Sequence, residues 1–185
     1  MSALGETLAA IASVLDARGL GWYVFGAQAV AVRGAPRATQ DVDVTVEVAR
    51  RRVPELLAAF GEHGLRHRFP QLMDELLEKG AVLPMTHSSG MEVDLVLAGS
   101  GLESIALGRA TRVDIEGVRV PFAHATDLVV MKVLAGRGKD LDDVEALLAG
   151  GEVDVAEARD LLVQFEEALG QSDLVPRLDA VLGGR

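Results

Sequence analysis

Cysteine is absent from the 185 residues, which removes disulfides, thiolate metal sites and cysteine nucleophiles together. Aromatic residues make up only 4%, too few for the stacking platforms on which single-stranded RNA binders lay their bases. Long apolar runs are missing as well. Asp or Arg interrupts the chain too often for a 20-residue span, so a membrane partner is not expected. Excess basic charge is missing too: the formal net charge is −10. A protein that grips nucleic acid over a long footprint carries the opposite sign, which gives weight to a small-molecule substrate. A local basic group (Arg33, Arg37, Arg50, Arg51, Arg52) reads as a solvated face or as a seat for a short nucleic-acid end. The first residues lack the basic start and cleavage site of a signal peptide, so the expected location is the cytoplasm.

Two phosphate motifs can be set aside. No Gly-x-Gly-x-x-Gly follows the first strand, and Gly136-Arg137-Gly138-Lys139 is too short for a Walker A loop and precedes no Ser or Thr. None of His63, His67, His87 and His124 has metal-ligand spacing with another; His87 reads as a surface residue in a loop.

What is present is an ordinary globular composition, 49% hydrophobic and 25% charged. Leu4, Leu8, Ile11 and Leu15 recur at helical spacing. Trp22-Tyr23-Val24-Phe25 reads as a buried strand, and Ala27 to Val32 as a short helix. Val42, Val44, Val46 and Val48 alternate with Asp43, Thr45 and Glu47, a strand with one apolar and one polar face. Helices are expected over Pro54 to Phe60 and Leu72 to Leu77. Strands are expected over Ala81 to Thr86 and Met91 to Leu97, followed by a hairpin that turns at Glu116-Gly117. After Pro121 the chain becomes helical, with Thr126 as N-cap of a helix running to Gly136. Further helices are expected over Asp140 to Leu148, Val155 to Leu169 and Leu174 to Leu182. The expected architecture is mixed α/β (α+β), a small mixed β-sheet flanked by helices over residues 1–121, with a C-terminal helical part over 122–185 packed on that core.

Chemistry concentrates in two places. Gly26 ends a strand and enters a helix directly, which offers free N–H groups and the positive end of a helix dipole, a seat for phosphate. Fifteen residues on, Asp41 and Asp43 share one strand face. Two carboxylates side by side repel, and a divalent cation removes that cost. Mg²⁺ characteristically takes one or two carboxylates plus substrate phosphate oxygens. Asp94, within Glu92-Val93-Asp94-Leu95-Val96, supplies a third acid if its strand neighbours the first. Three such acids can hold two metals about 4 Å apart, one activating an attacking hydroxyl and one steadying a leaving pyrophosphate.

These segments resemble the nucleotidyltransferase superfamily typified by polymerase β, and within it the minimal and AbiEii-like nucleotidyltransferases. The likeness extends to Met131 through Val144, where a lysine-bearing helix leads through Gly136-Arg137-Gly138 to Lys139-Asp140-Leu141-Asp142-Asp143. It implies Gly26 and Ala27 as the phosphate turn, and Asp41, Asp43 and Asp94 as catalytic ligands of Mg²⁺ or Mn²⁺. It also implies Lys132 and Lys139 as triphosphate contacts. The run Arg37-Ala38-Thr39-Gln40-Asp41 resembles the aminoglycoside and lincosamide adenylyltransferases, which brings in Arg37 and Thr39 as nucleotide contacts. Ala27 departs from the Gly or Ser usual at the second turn position. The implied activity is transfer of a nucleoside monophosphate from a nucleoside triphosphate to an acceptor hydroxyl on a small molecule, a protein or tRNA. The alternatives are a nucleotide-binding relative without turnover, and a toxin–antitoxin component acting through an antitoxin protein partner. On residue chemistry alone, Lys132 either snorkels from its apolar helix face or reaches a ligand, and Asp143 stands one turn from Lys139 and can pair with it.

Overall fold

The structure, a computed structural model, describes residues 1–34, 39, 41–79, 82–99 and 101–184. The chain divides into two compact units, Met1–Gln28 with Ala38–Ala123, and Ala29–Arg37 with His124–Arg185.

The first unit is built on a seven-stranded sheet. Its strands are β1 (Trp22–Phe25), β2 (Asp41–Val46), β3 (Leu65–His67), β4 (Val82–His87), β5 (Glu92–Leu97), β6 (Thr111–Ile115) and β7 (Val118–Phe122). They lie in the order β3-β4-β5-β2-β1-β7-β6. The β2–β5 and β1–β7 pairs are parallel and the other pairs antiparallel. One face is apolar because the β-branched and aliphatic positions of β2, β5 and β4 fall in step. Val42, Val44 and Val46 lie beside Val93, Leu95 and Leu97, with Leu83 and Met85 beyond. All are buried. Helix α1 (Ala3–Ala17) packs on this side with Leu8, Ile11 and Leu15 buried, and α3 (Val53–Glu62) packs against α1 and β3 with Leu56 and Phe60 buried.

His87 ends β4 on this apolar face and is buried, not superficial as its loop-like sequence suggested. Its Nδ1 lies 3.1 Å from the Thr7 hydroxyl of α1 and 2.8 Å from that of Ser89, which satisfies a polar group that would otherwise be costly to bury. At the other end of the sheet Glu116 (φ 52°) and Gly117 (φ 89°) form the tight β6–β7 turn. Glu116 accepts from the Ser2 N–H (2.7 Å) and hydroxyl (2.5 Å), which ties the start of α1 to that hairpin.

The short helices α2 (Gly26–Val32) and α4 (Met73–Lys79) stand close to their sequence expectation, and β2 stops at Val46 instead of Val48. Strand β3 and helix α5 (Gly101–Arg109) were not foreseen. β3 has three residues, too few for alternation to show. α5 buries only Leu102 and Ala106, one turn apart, among small and polar residues.

The second unit carries α6 (Ala125–Ala135), α7 (Gly138–Ala149), α8 (Val155–Leu169) and α9 (Leu174–Gly183). The N-cap of α6 is His124, whose Nδ1 accepts from the Thr126 N–H at 3.3 Å. Thr126 itself lies inside the first turn, where its hydroxyl accepts from the Asp154 N–H (3.0 Å) at the start of α8. No helix among the described residues is long and apolar enough to cross a membrane.

Candidate active site

The polar face of the central strands follows from the same alternation that builds the core. Asp41, Asp43 and Thr45 point away from the valine face of β2. The parallel register sets Asp41 beside Glu92, Asp43 beside Asp94 and Thr45 beside Val96. Lateral partners on neighbouring strands share a face, so Asp41, Asp43, Glu92 and Asp94 form a two-by-two block of acids. Across β1, Phe25 pairs with Asp43 and Tyr23 with Thr45. Trp22 and Tyr23 are buried as expected, whereas Phe25 is half-buried and stands next to the acids, its ring 6.2 Å from that of Tyr23. Across β4, Pro84 pairs with Asp94 and Thr86 with Glu92.

Each acid has its own neighbour. Asp41 is exposed and accepts a short hydrogen bond from the Thr39 hydroxyl. Asp43 lies over the strand–helix junction. Gly26 has φ +64°, and a Cβ built there would stand 1.8 Å from Asp43 Oδ2. Only glycine both adopts that conformation freely and leaves room for the carboxylate. Asp94 faces Arg68, whose Nη2 is 3.8 Å away, while Arg68 Nη1 is 2.7 Å from Glu92. Burial raises the Asp94 carboxyl above its ordinary range; Arg68 opposes this, and the charges of Asp41 and Glu92 add to it.

As the side chains are placed, no three histidine or acidic groups among the described residues converge on one point that would hold a metal ion. The backbone nonetheless suits a cation. Neighbouring strands run about 4.8 Å apart and alternate residues on a strand stand about 6.7 Å apart. Asp41, Asp43 and Asp94 can therefore turn toward a common centre by side-chain rotation alone. Their oxygens are hard donors of the kind Mg²⁺ and Mn²⁺ prefer. Burial, and to a smaller extent the charges of Asp41 and Glu92, raise the Asp94 carboxyl, and a cation at this face would offset both. The residues present fit the ion.

Ala27 is buried, so what that position can offer a phosphate is backbone, in the first turn of α2 where N–H groups have no helical acceptor. The Gln28 side-chain amide donates to the Asp41 carbonyl at 3.5 Å. Arg37 lies outside the described residues.

In the second unit Lys132 does not snorkel to water. It is buried, with Nζ 2.7 Å from Asp143 and 3.2 Å from Asp140. Arg137 adds a third cationic contact, its Nε 2.5 Å from Asp140. Burial alone would raise the Asp140 carboxyl, but the hydrogen bonds from Arg137 and Lys132 outweigh it and hold it below the usual range. Asp143 therefore pairs with Lys132 and not with Lys139, which is exposed in the first turn of α7.

Glu92 and Arg68 stand beside the candidate acids and were not singled out from the sequence. Glu92 could have been found, since it stands two residues before Asp94 on the same strand face. Arg68 follows the unforeseen β3 and carries no motif.

A family profile described as "Nucleotidyltransferase of unknown function (DUF6036)" matches residues 3–174. No curated protein sequence matches the chain. Among solved structures, the solution structure of the antibiotic-resistance factor ANT(2'')-Ia superposes with a TM-score of 0.63 at 16% identity, covering 92% of this chain and 95% of that one. The crystal structure of ANT(2'')-Ia in complex with adenylyl-2''-tobramycin gives 0.59 at 16% identity, covering 90% and 99%. At such identity the likeness shows a shared fold.

Proposed function

We propose that this chain, which belongs to the nucleotidyltransferase family DUF6036, moves a nucleoside monophosphate from a nucleoside triphosphate to an acceptor hydroxyl, with Mg²⁺ or Mn²⁺ held by Asp41, Asp43 and Asp94. The observation that carries the reading is the register of β2 on β5, which sets Asp43 directly beside Asp94 and puts Asp41 on the same face.

In this reading a bound divalent cation supplies charge neutralisation for the phosphates and lowers the pKa of the acceptor hydroxyl. Every other part falls to the protein. Asp43, fixed over Gly26 on a central strand, orients the site. Asp41 keeps its carboxylate directed by Thr39. Asp94, whose carboxyl is raised, is the group suited to take the acceptor proton. The Gly26-Ala27 turn offers N–H groups to the triphosphate, and the partly exposed Phe25 ring gives an apolar contact beside Asp43. The rate gain would come from positioning and fixed charge, with no covalent enzyme intermediate.

The acceptor class we favour is a small, positively charged, hydroxylated molecule. A block of four acids attracts cations, and the net charge is −10. ANT(2'')-Ia, of the same fold, was captured with an adenylylated aminoglycoside. The test is a panel of α-³²P-labelled ATP, GTP, CTP and UTP with Mg²⁺, offered with aminoglycosides, tRNA or total protein. Label transfer to an amino-sugar with release of pyrophosphate is the expected result. Transfer to tRNA or protein would move the acceptor class, and no transfer to any acceptor under any triphosphate would remove the enzymatic reading.

A further inference from the structure

The proposed reaction leaves Arg68 unused, although its guanidinium reaches both acids of β5. Its position is set by the backbone: the Arg68 N–H donates to the Pro84 carbonyl at 2.9 Å, which continues the β3–β4 ladder by one residue. Pro84 is the β4 partner of Asp94. Arg68, Pro84, Asp94 and Asp43 therefore stand in one row across the sheet. The Arg68 side chain reaches from beside β4 to the acids of β5, with its guanidinium 5.6 Å from the centroid of the Phe69 ring.

Its two contacts are unequal. The 2.7 Å approach to Glu92 is a close ion pair, whereas 3.8 Å to Asp94 is a loose one. Glu92 holds the guanidinium, and Asp94 is only held by it. This also separates the roles of two acids that alternation alone makes equivalent.

We infer that Arg68 is a resident counter-ion of Glu92 and Asp94 and competes with the divalent cation for Asp94, while Glu92 is the anchor that keeps Arg68 in place and is not itself a metal ligand. The inference rests on the proposed reading of Asp41, Asp43 and Asp94. A cation binds by displacing the guanidinium from Asp94, and the closer Glu92 ion pair survives the exchange. Arg68 is thus a positioning residue that sets how tightly the site takes its ion and offsets the charges of Glu92 and Asp94.

Mn²⁺ binding to the purified full chain, followed by electron paramagnetic resonance without any nucleotide, tests this directly. Asp43→Asn is expected to abolish binding, which checks the site itself. Arg68→Met is expected to tighten Mn²⁺ by about threefold to tenfold, the equivalent of releasing one or two partly exposed ion pairs. Arg68→Lys should fall near wild type. Arg66, exposed on the same face of β3, is the control for a general field effect: Arg66→Met should change the affinity by less than about a factor of two. Glu92→Gln should weaken Mn²⁺ more in the wild-type background than in Arg68→Met, because only with Arg68 present does it turn the guanidinium onto Asp94. Unchanged or weaker Mn²⁺ binding by Arg68→Met, or equal gains from the Arg66 and Arg68 variants, would overturn the competition while leaving the site intact. Failure of both wild type and Arg68→Met to bind Mn²⁺ would overturn the site and the inference together.

Discussion

Gly26→Ala isolates the contact on which the acid block depends. The new methyl would stand 1.8 Å from Asp43 Oδ2 and 2.6 Å from its Cγ, well inside van der Waals contact. Neither backbone can retreat easily. Phe25, the preceding residue, is the ladder partner of Asp43, and β2 is clamped between β1 and β5. The flexible party is the Asp43 side chain, so the methyl moves the carboxylate off its position. The φ of +64° adds a separate cost of about 1–2 kcal/mol for any residue with a Cβ. For a chain of this size that cost corresponds to a fall in Tm of about 2–8 °C. The functional loss should be larger than the stability loss suggests: binding of Mg²⁺ with a nucleoside triphosphate should drop to the level of Asp43→Asn. Calorimetric titration and a thermal melt followed by circular dichroism read the two effects separately. Repeating Gly26→Ala in an Asp43→Ala background should leave only the backbone cost, giving a coupling of at least about 0.5 kcal/mol in the cycle. A Gly26→Ala protein that binds the magnesium–triphosphate as tightly as wild type would refute the reasoning.

Lys132→Met removes the cation from between two buried carboxylates and should cost about 3 kcal/mol, the lower end for breaking a buried pair, because Arg137 still serves Asp140; thermal melts and hydrogen exchange in α6 and α7 check it, and adding Asp143→Asn should restore much of the loss. Asp94→Asn should raise the Tm of the metal-free protein at pH 7. Folding raises the Asp94 carboxyl, so its contribution to stability is fully present below the unfolded value near 3.8 and lost as pH rises through the folded value. The advantage of the Asn variant should accordingly close below about pH 4 in melts run against pH.

The period-two alternation of Val42, Val44 and Val46 with Asp43 and Thr45 made both the apolar and the acid face of β2 legible, since burial of one face fixes the other. The hairpin at Glu116-Gly117 was legible for a similarly local reason, a turn that needs positive φ, and α8 begins where the structure shows the Asp154 side chain accepting from the Glu157 N–H. Pairings between distant strands were not legible. Nothing in Asp43 or Asp94 alone says that they are ladder partners; that needs β5 to lie parallel to β2 in one register out of several. Arg68 was hidden for a related reason, because its role depends on a three-residue strand and on a ladder position three strands from Asp43. Lys132 stayed open in the sequence because an apolar helix face carrying one lysine looks the same whether its head meets water or two buried aspartates eight and eleven residues on.

The most direct measurement is a calorimetric titration of Mg²⁺ with each nucleoside triphosphate into the wild-type chain and into Asp41→Asn/Asp43→Asn, a change that removes two charges and almost no volume. Magnesium-dependent binding by the wild type and none by the double variant, with unchanged circular dichroism, is the predicted result. Equal binding by the two proteins would contradict the assignment of the acid face as the metal and nucleotide site.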